Sequence, residues 1–159
     1  GSISAPRWAP VGTYGVLGLK LARPEQPAVC VTSDGSFMMF PGAVATATEY
    51  DIPAVWVILN NYTIGVIRDL QRFYMDGREI GTSFVKQSTG EFWNPDFAAI
   101  ARGFGITAIE AGDAKEPAAA FHEALATPGP VLVNIPVPAA CNVLPMVAPG
   151  GANTTMIGA

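Results

Sequence analysis

Residues 28–61, AVCVTSDGSFMMFPGAVATATEYDIPAVWVILNN, hold two short apolar, β-branched runs, Ala28 to Thr32 and Ala54 to Leu59. A polar signal closes each: Ser33-Asp34-Gly35 after the first, Asn60-Asn61 after the second. Neither run alternates, the pattern of strands covered on both faces. The segment between them is long enough for a helix. It is rich in small residues from Ala43 to Thr48, so it can pack closely on a sheet, and it stops before Asp51-Ile52-Pro53, because a residue preceding proline is steered out of helical geometry. Asp34 and Asn61 stand 27 positions apart. That is the span of a single crossover, which brings neighbouring strand ends together.

The pattern continues outward. After Asn94-Pro95, DFAAIARGFG reads as a helix with Asn94 as N-cap, Pro95 at the first position and a Gly stop. A weaker strand follows at Ile106 to Ile109. DAKEPAAAFHEALATPG reads as a further helix, with Phe121, Leu125 and the alanines facing inward, before a last strand at Val131 to Ile135. Strand and helix alternating in this way predict an α/β fold: a doubly wound, flavodoxin-like parallel sheet with helices on both faces, in a single domain. From Val137 onward Pro and Gly are too frequent for regular structure, so residues 3–136 form the domain and 137–159 an irregular C-terminal tail. Gly1-Ser2 has the form of a cloning remnant.

The 159 residues are half apolar and 14% charged, with a net charge of −4, composition suited to one domain with a sizeable core. The acidic balance and the lack of a Lys/Arg cluster argue against nucleic-acid or membrane-surface binding. No apolar run reaches the roughly 18 residues that span a bilayer, and no signal-peptide pattern opens the chain, so a cytoplasmic protein is expected. Cys30 sits in a strand and Cys141 in the tail, which suggests neither a disulfide nor a metal cluster. His122, on the helix FHEAL, reads as a surface or half-buried residue rather than a catalyst.

In open parallel sheets ligands bind outside the carboxyl ends of the strands. Both polar signals sit there. A carboxylate, an amide oxygen and a nearby backbone carbonyl are hard donors suited to Mg²⁺ or Ca²⁺, and Mg²⁺ usually completes its octahedron with phosphate and water oxygens. Gly35 and Ser36 would open the next helix, whose N–H groups suit a diphosphate. Read singly, the same residues are a loop Asp and two turn-forming Asn residues.

SDGSFMMF followed by WVILNN resembles the cofactor motif of thiamine-diphosphate enzymes: Gly-Asp-Gly, some 25 to 30 residues, then Asn-Asn. NNYTIGVIRDLQRFY and NVLPMVAPGG are similar to the matching stretches of acetolactate synthase large subunits and of glyoxylate carboligase. The likeness covers roughly residues 20 to 150. It implies a diphosphate-binding domain that takes thiamine diphosphate and Mg²⁺. Asp34, Asn61 and the Thr63 carbonyl would be the metal ligands, and Gly35, Ser36 and Ile64 further cofactor contacts. Ile64 to Leu70 would border the substrate pocket, with Arg68 either a partner for a substrate carboxylate or a residue on a solvated helix face. No catalytic residue is assigned within the chain, because the family's activating glutamate belongs to a separate pyrimidine-binding domain or subunit. The implied activity is acetolactate synthase-like carboligation of small 2-oxo acids in a homo- or hetero-oligomer, inactive without that partner. Asp34→Ala would then abolish metal-dependent cofactor binding at little cost in stability.

The chain departs from the family at Ser33, which replaces the first motif glycine, and at Ala43, where an acidic or amide residue is usual. VGTYGVLGLKLARPEQP resembles the segment that puts a bulky apolar residue under the cofactor, but the chain runs short before Lys20. Val16 or Leu17 would fill that role, or a residue near Ala9 if no gap is allowed. Alternative readings are a part of a 2-oxo acid decarboxylase or of glyoxylate carboligase, or a scaffold domain that has lost its cofactor. A nucleotide-binding domain is disfavoured by the lack of a Gly-x-Gly-x-x-Gly or Walker-type loop.

Overall fold

All four apolar runs form strands, and all four pair in parallel. The computed structural model describes residues 9–112, 116–141, 144–147, 150–152 and 154–157. Helix α1 (Ala9–Ala22) leads into β1 (Ala28–Ser33), α2 (Asp34–Met39), α3 (Gly42–Glu49) and β2 (Ala54–Asn60). There follow α4 (Gly65–Tyr74), α5 (Phe97–Gly103), β3 (Thr107–Glu110), α6 (Pro117–Ala126) and β4 (Val131–Pro136). The sheet order is β1-β2-β4-β3, with Ala28 beside Ala54 and Ser33 beside Leu59. The ends of β1 and β2 are therefore neighbours, as their spacing in the sequence implies.

Burial on both faces explains the unalternated runs of β2 and β4; β1, expected to be covered on both faces, alternates in burial instead, with Val31 exposed. Ala54, Trp56 and Ile58 of β2 face one core, built with Val16 and Leu17 of α1, Phe37 of α2, Val44 of α3 and Phe97 of α5. Val55 and Val57 face the other, built with Ala120 and Ala124 of α6 and Val131 and Val133 of β4. The buried Trp56 indole N–H donates to the Thr13 carbonyl at 3.0 Å, which ties α1 to the sheet.

Several expectations are corrected. The helix foreseen between β1 and β2 is two helices: the chain breaks at Phe40-Pro41, and Pro41 serves as N-cap of α3. Asn94 does not cap α5. Asp96 does, its carboxylate accepting from Ala99 N–H at 2.8 Å. Leu125 points outward, 40% exposed, and the inward stripe of α6 is Ala120 and Ala124 with Phe121 partly buried. Val16 and Leu17 are core residues of α1, packed with Trp56 and Ile58 of the sheet. Ala43 is fully buried in the same core, where a charged or amide side chain would need a partner. Among its described residues the tail carries one regular feature, a short antiparallel ladder of β5 (Met146–Val147) and β6 (Met156–Ile157). Gly1-Ser2, the first residues of the DAKEPAAAF stretch (113–115) and Asn142-Val143 of the NVLPMVAPGG stretch lie outside the described residues.

Candidate cofactor site at the carboxyl ends of β1 and β2

Ser33 ends β1 in an extended conformation (φ −91°, ψ 163°) and caps α2. Its hydroxyl accepts from Ser36 N–H at 3.3 Å and donates to Ser36 Oγ at 2.9 Å. That φ needs no glycine, so serine in the motif's first position fits the turn and contributes an N-cap. Asp34, the first residue of α2, is fully buried. Its Oδ1 accepts from Gly35 N–H at 2.8 Å. Its Oδ2 accepts from Tyr62 N–H and from Asn94 Nδ2, both at 2.7 Å. No basic side chain among the described residues pairs with it.

The loop after β2 comes to Asp34 in a left-handed conformation at Tyr62, φ 59°, which is unusual for a bulky residue. Asn61 Oδ1 accepts from Thr63 N–H at 3.2 Å, closing a local turn. Gly65 leaves room for that turn: a Cβ there would stand 3.2 Å from Asn61 Nδ2. Thr63 is fully buried and its Oγ1 has no hydrogen-bond partner among the described residues. Nor does any described donor reach its carbonyl. The structure thus brings Asp34 to the Asn-Asn doublet. Of the pair it is Asn60, not Asn61, that shares a hydrogen-bond partner with Asp34: Asn94 Nδ2 also donates to Asn60 Oδ1, at 2.6 Å.

Two cavities flank this knot. A largely apolar one of about 520 Å³ is lined by Gly35, Met38, Ile64, Phe84, Trp93 and Asn94. It holds two of the expected cofactor contacts, Gly35 and Ile64. Gly35 is closed over so tightly that a Cβ would lie 3.2 Å from the Phe84 ring. A smaller polar one of about 300 Å³ lies across Asn94, between Asn60, Tyr62, Glu110 and Asn134.

Sequence reasoning missed Asn94 and Asn60 as site residues. Asn-Pro before a helical run imitates a cap, and nothing local marks a bond made 60 positions away. Arg68 corrects both readings offered for it. It is 2% exposed, neither on a solvated face nor open to a substrate: its guanidinium donates to the Ala139 carbonyl and, at 3.1 Å, to that of Cys141, and lies 3.6 Å from Asp69.

A parallel sheet with a buried carboxylate at one strand end, unpaired with any basic side chain among the described residues and tied to the loop after the neighbouring strand, defines an α/β domain with its candidate site at the carboxyl ends of the strands. The comparisons give the family. Residues 11–135 match the family described as "Thiamine pyrophosphate enzyme, C-terminal TPP binding domain", and the chain belongs to it. Relatives include the acetolactate synthase large subunit of Haemophilus influenzae, 36% identical over 147 residues, covering 92% of this chain and 24% of the relative. The isozyme 1 large subunit of Escherichia coli is 33% identical over 148 residues, covering 92% and 25%. Among solved structures, a thiamine diphosphate-dependent 4-hydroxybenzoylformate decarboxylase of Rhodococcus jostii aligns with TM-score 0.67 and 28% identity, over 77% of this chain and 22% of that one. The chain spans about a quarter of the length of these curated relatives.

Proposed function

We propose that this chain is the diphosphate- and Mg²⁺-holding part of a thiamine-diphosphate-dependent carboligase acting on small 2-oxo acids. The observation that carries the reading is Asp34: a fully buried carboxylate with no basic partner among the described residues, tied through Tyr62 N–H to the loop that holds the Asn61 amide oxygen, with one bond from Thr63 N–H, and the Thr63 carbonyl, which no described donor reaches. Such a donor set fits a hard divalent cation, and the unpartnered Thr63 Oγ1 marks a further polar atom in the same loop.

When bound, thiamine diphosphate supplies the chemistry of 2-oxo acid decarboxylation and carbon–carbon bond formation. This chain's residues hold the other end. Asp34, Asn61 and the Thr63 carbonyl would ligate Mg²⁺, Gly35 and Ser36 would meet the diphosphate, and Ile64 would border the apolar cavity. These contacts bind ground and transition states about equally, so they anchor without accelerating. A proton acceptor at the aminopyrimidine, worth roughly a hundred- to ten-thousand-fold, would come from a pyrimidine-binding domain or subunit in an oligomer. A cytoplasmic location and an acetolactate synthase-like product belong to the same reading. A decarboxylase is the second reading, favoured by the fold likeness to the Rhodococcus enzyme.

Calorimetry decides the anchoring role. The chain should bind thiamine diphosphate with Mg²⁺ present and much more weakly without it, and Asp34→Ala should abolish the metal-dependent part. Pyruvate turnover should appear only when a pyrimidine-binding partner is added. Cofactor binding indifferent to Mg²⁺, or turnover by the purified chain alone, overturns the reading.

A further inference from the structure

We infer that Asn94 is a positioning residue of the cation site, which selects the oxygen that Asp34 offers. The inference rests on the reading of Asp34 as a metal ligand. Asn94 lies 60 residues from Asp34 in sequence, in the segment that leads into α5, and lines both cavities. Its single amide nitrogen faces two acceptors, Asp34 Oδ2 at 2.7 Å and Asn60 Oδ1 at 2.6 Å. Turning the amide over would set three oxygens against one another, so the orientation is determined by its partners. Both hydrogens of the amide are thereby used.

The consequence falls on the carboxylate. Oδ2 accepts two hydrogen bonds, from Tyr62 N–H and Asn94, which occupy both its lone pairs. Oδ1 accepts one, from Gly35 N–H, and keeps one lone pair. Asp34 is therefore prepared to bind a cation through Oδ1 alone, and Asn94 holds the carboxylate plane at the angle that aims that lone pair. The same amide grips the end of β2 through Asn60, so the two strand ends keep their separation. Partners that orient a ligand in this way usually contribute ten- to a hundredfold to metal affinity.

The test uses the full chain and three variants. Asn94→Leu keeps the volume and removes the donors; Asn94→Ser keeps one donor. Asp96→Ala removes the cap of α5 and leaves Asn94 in place. Amide hydrogen exchange at Tyr62 is read in metal-free protein, and Mn²⁺ affinity is read by calorimetry at saturating thiamine diphosphate. Asn94→Leu should speed Tyr62 exchange by several-fold to tenfold and weaken Mn²⁺ ten- to a hundredfold. Asn94→Ser should fall between, and should decide the matter if the leucine variant does not fold. Asp96→Ala should lower the unfolding midpoint with both readouts at wild-type values. Wild-type Tyr62 exchange or wild-type Mn²⁺ affinity in the Asn94 variants overturns the inference, as does Asp96→Ala reproducing their effect. Should the wild-type chain bind no Mn²⁺, the proposed function fails, and Tyr62 exchange alone decides whether Asn94 sets the carboxylate.

Discussion

The role proposed for Asp34 sets two demands that ordinarily conflict, since a carboxylate is costly to bury and a metal ligand must keep an oxygen free. Three N–H donors resolve the first demand and leave one lone pair for the second. The view from sequence, that Asp34→Ala would barely affect stability, does not survive this geometry. Removing the side chain strands the Tyr62 N–H and one hydrogen of the Asn94 amide in half-buried positions, at about 1–3 kcal/mol for each unsatisfied donor. Urea unfolding of Asp34→Ala should therefore show a loss of about 2–4 kcal/mol in the absence of any cofactor. A second residue-level prediction concerns the thiols. Burial raises the Cys30 pKa from its ordinary 9.0 to about 11, whereas Cys141 is exposed. A raised folded-state value favours the neutral thiol, so this contribution to stability is complete below pH 9 and is lost as pH rises towards 11. At pH 8 a thiol reagent should modify Cys141 promptly and Cys30 only on unfolding, which mass spectrometry resolves.

At the scale of elements, the buried cation of α4 links the sheet domain to the tail. Arg68 gives its guanidinium hydrogens to the carbonyls of Ala139 and Cys141, so the segment just after β4 is tied down although it has no regular structure of its own. Proteinase K should accordingly cut first beyond Cys141, and Arg68→Met should move the first cut back towards Val137, as mass spectrometry of the products will show. Strands β2 and β4 were readable in the sequence because burial on both faces writes itself as a continuous β-branched run, and β1 was readable as a run though one of its faces is left partly open at Val31. The Asp34 to Asn-Asn spacing was readable because one crossover has a narrow range of lengths. Helix α1 escaped notice: its Gly-rich, weakly patterned sequence acquires meaning only from Trp56 and the sheet it covers. Arg68 and Asn94 were misread for a related reason. Local chemistry suggests solvent for an arginine and a cap for Asn-Pro, while the partners that decide the matter lie 71 and 60 positions away.

For the whole molecule, the cover on the sheet is uneven. Among the described residues, helices α1, α2, α3 and α5 pack on one face, and α6 is the one helix that contributes to the core of the other. Beyond its reach Val31 is 65% and Leu59 40% exposed, two register positions apart near the ends of β1 and β2. Parallel sheets are normally covered on both sides, and an exposed apolar patch favours association. Sedimentation velocity should show concentration-dependent self-association of the purified chain, and Val31→Lys should reduce it without altering the unfolding midpoint by more than about 0.5 kcal/mol in stability.

The position of β1 in the sheet has a consequence for how occupancy of the site would be sensed. Among the described residues β1 pairs only with β2, so the strand that leads directly into Asp34 forms the margin of the described sheet, and margins open before centres do. A ligand that fastens Asp34 to the loop after β2 acts as a rivet through that margin, and by mass action its binding energy is stored as resistance of β1 to peeling. The backbone amides of Ala28 to Ser33 are thus a built-in gauge of loading, slowing their exchange as the rivet is set, while those of β4, held between two neighbours, keep the same pace whether the site is filled or not.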